Sequence, residues 1–224
     1  MKYYTDQHKK KIDYEILAKE YVKSGWGTDV YKLNNDVYKL YKPICLKYRL
    51  TEDDIKYLSN IWTNRILLPK KVIYDENNNF RGYTMKYIKP ENKSEIKDLR
   101  MNKIIKELKL IKEDLITLKD NNVFVDDLCD DNFIFNKGLY IIDPGSFEIN
   151  KKRSKDYIEI MNREIMHDFI IKYVLFRHCK LNINQIKEIN KIFPLDEYIS
   201  DVMEDTITKN ELIYKYTNRI INNL

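Results

Sequence analysis

Hydrophobic residues along this 224-residue chain change their spacing three times. Up to about residue 88 they fall in short runs broken by polar turn signals. Within this stretch Val30, Leu33, Val37 and Leu40 flank an Asn34-Asn35 pair, a pattern that predicts two strands joined by a tight turn. Pro43 ends the second strand. Ahead of the hairpin, residues 11–22 carry apolar residues at mixed helical spacing and read as a helix capped by Asp13. Behind it, Thr51 is an N-cap signal followed by three acids, and Ile55, Leu58, Ile61 and Trp62 share one helical face. Residues 70–88 then read as two strands around an Asp75–Asn79 turn. The order is β-β-α-β-β, an antiparallel sheet with one helix.

Pro90 and the polar residues 91–94 read as a connector. Beyond it the period becomes helical: Ile104, Leu108, Ile111, Leu115 and Leu118 recur every three or four positions. The spacing changes again at Phe133-Ile134-Phe135, an Asn136-Lys137-Gly138 turn and Leu139-Tyr140-Ile141-Ile142, which together predict a short hairpin. From about residue 154 the helical period returns through Ile158, Ile160, Met161, Ile165, Phe169, Ile170 and Val174, and residues 196–222 supply one or two more helices after Pro194. The predicted fold class is α+β, with a β-rich part over residues 1–88 and a mainly helical part over 89–224 that carries the hairpin.

Composition narrows the functional classes. Charged residues make up 33% and hydrophobic residues 43%, which fits a globular chain rather than a disordered one. The net charge of +5 is spread in interleaved lysines and acids, and only Lys151-Lys152-Arg153 forms a basic cluster. A solvated surface is therefore expected, with no nucleic-acid partner. Cys45, Cys129 and Cys179 show no metal or redox spacing, and their odd number fits a reducing compartment. The polar amino-terminal run MKYYTDQHKKK and the lack of any apolar run near 18 residues predict a cytoplasmic chain without a membrane partner.

The chemistry concentrates around the hairpin. Asp127 precedes Asn132 by five positions, and Asp143 follows eleven later, directly before Pro144-Gly145. A hairpin between Asn132 and Asp143 gathers these oxygen-bearing side chains at one end, and oxygen ligands suit Mg²⁺ with substrate phosphates. Upstream, Lys39 sits in the strand Val37-Tyr38-Lys39-Leu40, and Gly25-Trp26-Gly27 precedes that hairpin.

These motifs, in this order, resemble those of the eukaryotic-like protein kinase superfamily, including its compact bacterial and antibiotic-phosphotransferase relatives, over about residues 20–176. Asp127 to Asn132 is similar to the catalytic loop H-R-D-L-x-x-x-N, with Val125 and Asp126 in place of His and Arg. Asp143-Pro144-Gly145 resembles D-F-G with proline replacing phenylalanine. The resemblance implies a two-lobed fold that binds ATP and Mg²⁺ and transfers the γ-phosphate to a hydroxyl of a protein or small molecule. It implies that Asp127 positions or deprotonates the acceptor, that Asn132 and Asp143 hold metal, and that Lys39 grips phosphates. Gly25 and Gly27 would cover the phosphates, and Asp54, with Glu52 as its rival, would pair with Lys39. Met85, Tyr87, Ile88, Phe133 and Phe135 would line the adenine pocket. A second reading stays open: a pseudokinase that binds nucleotide or scaffolds partners without turnover.

Overall fold

Local signals build most of the sheet. In the computed structural model, which describes residues 2–5, 11–25, 27–48, 50–91, 101–150 and 152–169, Asn34 takes a left-handed φ of 54°. That conformation closes the tight turn between β4 (Thr28–Leu33) and β5 (Asp36–Tyr41). A second turn joins β6 (Lys71–Asp75) to β7 (Phe80–Lys86). There Asp75 Oδ1 accepts from the N–H groups of Asn77 and Asn79, each at 2.9 Å, and Asn78 takes the left-handed φ of 59°.

The described chain is mixed α+β, with a large antiparallel sheet and few helices. The sheet is larger than the sequence predicts. Residues 11–22 hold a strand, β2 (Lys11–Asp13), a short helix α1 (Tyr14–Lys19) and the start of β3 (Tyr21–Ser24), instead of one helix. With β1 (Lys2–Thr5) they extend the sheet to seven strands in the order β2-β1-β6-β7-β5-β4-β3. Pairing decides these edges: Tyr3 lies opposite Ile12 on one side and Asp75 on the other, and Tyr21 opposite Tyr31.

Helix α2 (Glu52–Leu58) begins at Thr51 with a full capping box, in which Asp54 N–H donates to Thr51 Oγ1 and Asp54 Oδ2 accepts from Thr51 N–H at 2.9 Å. The helix stops at Leu58, so Trp62 is not on its buried face and is 76% exposed.

Beyond the connector, α3 (Met101–Asp120) leads into β8 (Val123–Phe124), then the hairpin β9 (Phe133–Phe135) and β10 (Leu139–Ile141), then β11 (Glu148–Ile149) and α4 (Lys155–Phe169). The expected continuation through Ile170 and Val174, and the helices after Pro194, lie outside the described residues. Two buried acids of α3 join the halves. Asp114 accepts from the N–H groups of Asn64, Arg65 and Ile66 at 2.7, 2.6 and 2.8 Å. Burial pushes its carboxyl up, and these donors oppose the shift. Glu107 pairs with Arg65 and accepts from Leu139 N–H of the hairpin. Residues 65–67 in turn bond Ile141 on both sides, Ile141 N–H to Arg65 O and Leu67 N–H to Ile141 O, each at 2.8 Å.

One hydrophobic cluster runs across the residue-88 boundary. It contains Ile55 and Leu58 of α2, Val72, Tyr83 and Met85 of the sheet, Ile111 and Leu118 of α3, and Phe135 and Ile141 of the hairpin. The two parts of the chain therefore share a core.

Gly82 lets β7 approach β5. It faces Leu40, has a φ of 149°, and a methyl group built on it would lie 2.0 Å from the carbonyl oxygen of Lys39. Gly82→Ala is expected to destabilise the protein by about 1–3 kcal/mol or more, through backbone strain and displacement of the strand carrying Lys39. Urea unfolding followed by circular dichroism measures this, and an unchanged midpoint contradicts it.

Candidate functional site

Alternation along β5 turns Lys39 inward, opposite Val30 on one neighbour and Tyr83 on the other. The residue is only 6% exposed. A buried ammonium needs an anion. Asp143 supplies it, with Lys39 Nζ 2.6 Å from Asp143 Oδ1. The ammonium also stands 5.9 Å from the centre of the Tyr83 ring.

The hairpin presents that carboxylate. Asn132 closes a 3₁₀ turn (Asp130–Asn132), and its carbonyl accepts from Ile142 N–H at 2.7 Å. This extends the β9–β10 ladder by one step and sets Asn132 beside the residue before Asp143. Asp143 takes a left-handed φ of 68° at the head of a second 3₁₀ turn, Pro144–Ser146, and its Oδ1 accepts from Gly145 N–H at 3.3 Å. Asn132 Nδ2 donates to the carbonyl of Asp127 at 2.5 Å. Asp127 is itself left-handed, with a φ of 55°, and its side chain is exposed. Ser146 Oγ donates to Asp126 O at 3.2 Å, which ties the two loops together. The Lys39–Asp143 ion pair and the hydrogen bonds of Asn132 to Ile142 N–H and to the Asp127 carbonyl therefore lie along one connected stretch of chain.

The loop is braced from below by a residue the sequence does not flag. Asn162 of α4 is 1% exposed; its Oδ1 accepts from Val125 N–H at 2.7 Å and its Nδ2 donates to Val123 O at 2.9 Å. These bonds satisfy backbone groups just before Asp126-Asp127.

Other expected site residues are placed differently. Asp54 does not face Lys39: its carboxylate accepts from Thr51 N–H and Oγ1 in the capping box, because an acid at this position of the first turn answers its own N-cap. Glu52 accepts from Lys56 Nζ at 2.5 Å and from Tyr74 OH at 2.7 Å. Those donors hold its carboxyl below the usual range, while burial and Glu52 push the Tyr74 hydroxyl to about 12. Phe133 and Phe135 are core residues, in edge-to-face contact at 5.6 Å. Ile134, between them, is half-buried and packs against the same core.

Met85 is buried opposite Val37, Ile88 is buried just beyond β7, and Tyr87 N–H donates to Asn35 O at 2.9 Å. Gly25 and Gly27 lie in the turn between β3 and β4. Gly25 N–H donates to Thr28 O at 2.8 Å, and Lys42 N–H to Gly27 O at 3.0 Å. Lys42 Nζ also donates to Gly25 O and to Ser24 Oγ, each at 2.7 Å, so this second lysine braces the turn. Trp26 between the glycines lies outside the described residues.

Among the described residues no group of three or more His, Cys, Asp or Glu side chains could hold a metal ion. Asp143 and Asn132 offer one carboxylate and one carboxamide oxygen. Such a pair fits a cation that completes its shell with waters and phosphate oxygens, as Mg²⁺ does. Comparison with protein-family models and with curated proteins gives no match.

Removing one partner of the Lys39–Asp143 pair strands the other. Asp143→Ala is expected to lower stability by about 1–3 kcal/mol, below the cost of breaking a fully buried pair because Asp143 is 37% exposed. Lys39→Met in the same background recovers most of that loss. A double-mutant cycle by chemical denaturation measures the coupling, and strictly additive effects contradict it.

Proposed function

We propose that the protein is a kinase-like phosphotransferase of two-lobed architecture, moving the γ-phosphate of ATP to a hydroxyl acceptor. The observation that carries this reading is the 2.6 Å pair between Lys39 on the sheet and Asp143 at the end of the hairpin. It sets a buried cation and an oxygen ligand side by side where a phosphate–metal complex could replace their direct contact. Asn132, bonded beside Asp143, adds a neutral oxygen donor, and Asp127 adds an exposed carboxylate within the same hydrogen-bonded loop.

Each residue then has a defined task. Lys39 exchanges the Asp143 carboxylate for phosphate oxygens. Asp143 and Asn132 turn their oxygens to the cation, which when bound neutralises charge on the phosphates. Asp127 orients the acceptor hydroxyl and takes its proton as the new O–P bond forms and the bond to the leaving ADP breaks. The Gly25–Gly27 turn, held by Lys42, would cover the phosphates. Positioning and charge neutralisation account for most of the rate. Nothing in the residues selects between a Ser/Thr side chain and a small-molecule hydroxyl.

One observation favours a second reading, nucleotide binding without turnover. Helix α2 commits both Asp54 and Glu52 to other partners, which removes the candidate helix carboxylates from Lys39. The two readings separate by experiment. ATP with Mg²⁺ is expected to raise the melting temperature of the wild type, and Lys39→Met to abolish that shift. Magnesium-dependent release of ADP is expected to fall about 10²–10⁴-fold in Asp127→Asn with the nucleotide-induced shift retained. Binding without ADP release in the wild type supports the second reading, and unchanged turnover in Asp127→Asn rejects the role given to Asp127.

A further inference from the structure

A groove of about 650 Å³ lies along the segment that follows β7, and its lining includes none of Lys39, Asp127, Asn132 or Asp143. Three lysines point their chemistry at it: Lys32 from β4, Lys86 from the end of β7 and Lys89 just beyond. No carboxylate is among its lining residues. Acids close to these lysines hold other partners: Asp29 lies 3.9 Å from Lys42. Asp36 stands opposite Lys86 in the sheet but pairs with Lys70 at 2.8 Å, and Glu91 Oε1 accepts from Lys137 N–H at 2.5 Å. Among the described residues none of the three groove lysines is in an ion pair, whereas Lys42, Lys56, Lys70 and Lys119 each have a carboxylate within 4 Å. Three like charges sharing one concavity raise the local potential and favour an anion with several charges.

The aromatic residues narrow the choice of anion. The Tyr87 ring already carries the Lys32 ammonium 5.1 Å from its centre, and the Tyr140 ring carries the Arg65 guanidinium at 4.9 Å. Rings covered by cations are poor platforms for stacked bases, the main source of affinity for single-stranded nucleic acid. Asparagine amides complete the lining at Asn34 and Asn35, and they can donate to carboxylates or to peptide carbonyls. We propose that this groove docks an acidic peptide segment of a partner protein, its Asp or Glu side chains meeting Lys32, Lys86 and Lys89. The groove shares Tyr87 and Ile88 with the expected adenine pocket, but the inference requires no nucleotide and none of Lys39, Asp127, Asn132 or Asp143.

The test is a binding measurement on the full chain without nucleotide. A fluorescein-labelled Glu-rich decapeptide is titrated by anisotropy at low salt, beside the same peptide with Gln for Glu and beside a single-stranded oligonucleotide of equal charge. Saturable binding of the Glu peptide is expected, weakening as salt rises, with neither control bound comparably. The triple variant Lys32→Gln, Lys86→Gln, Lys89→Gln is expected to bind about tenfold or more weakly. A charge-matched variant, Lys23→Gln, Lys106→Gln, Lys109→Gln, takes exposed lysines from elsewhere and is expected to bind as the wild type does. Equal losses in the two variants, equal binding of the Gln peptide, or preference for the oligonucleotide would each overturn the proposal. Melting curves of both variants confirm that the comparison is between folded proteins.

Discussion

A lysine ammonium in the interior of a β-sheet is the constraint around which this chain is arranged. Lys39 is nearly inaccessible, and its charge cannot be accommodated by the apolar side chains around it. The strand cannot answer the charge from its own sequence, so the answer arrives from residue 143, across the fold. That requirement reaches outward. It calls for the close approach of β7 that Gly82 permits, and for a hairpin that ends in a turn instead of continuing as strand. It also calls for a carboxylate delivered from a left-handed residue, a conformation that aspartate tolerates better than most side chains.

The loops around this pair are ordered by buried polar groups, not by regular structure. Asp114, Glu107 and Asn162 each sit on a helix and satisfy backbone donors or acceptors in distant segments, beyond what the short β8–β11 and β9–β10 ladders provide. Asp114 holds residues 64–66, which in turn bond Ile141 of β10. Glu107 holds Leu139 of that hairpin, and Gly138 lacks a side chain where one would meet Glu107 at 2.6 Å. Asn162 holds the approach to Asp127. Each of these groups would be costly if left unpaired, so the set is cooperative: loosening one segment exposes the partners of the others. A loop fixed in this way needs little reorganisation when a ligand arrives.

The sequence discloses those parts of the fold that rest on neighbouring residues. The Asn34-Asn35 turn, the Asp75 turn and the Thr51 cap are decided within five residues, and each forms as the pattern predicts. The long period of α3 is equally local. The grouping of Asp127, Asn132 and Asp143 was legible for the same reason, since one short hairpin fixes their separation. What depends on distant partners was hidden. Asp114 and Glu107 look like ordinary acids of a solvated helix face, and only burial against residues 64–66 and 139 reveals their part. The short strands β1 and β2 show no period, and their identity comes from pairing. Asp54 was drawn to Lys39 by spacing alone, but its own N-cap lies three residues away and wins. That Phe133 and Phe135 both belong to the core is clear only once the core is located.

Pro144, directly after Asp143, bears on how far this loop can rearrange. Pro144 and Gly145 are buried, Phe147 N–H closes the turn onto Pro144 O at 3.1 Å, and Ser146 is bonded across to Asp126. Proline restricts its own φ and disfavours the helical region for the residue before it. Asp143 thus starts from a narrower set of backbone states than it would before another residue. A loop constrained at both ends and through its middle has few alternative backbone arrangements. Control of such a protein is then better exerted on access than on geometry: on what reaches the Lys39–Asp143 pair, and on which partner is held against the fold while it does so. A surface that selects partners by charge, set apart from the pair itself, is the arrangement a rigid site of this kind calls for.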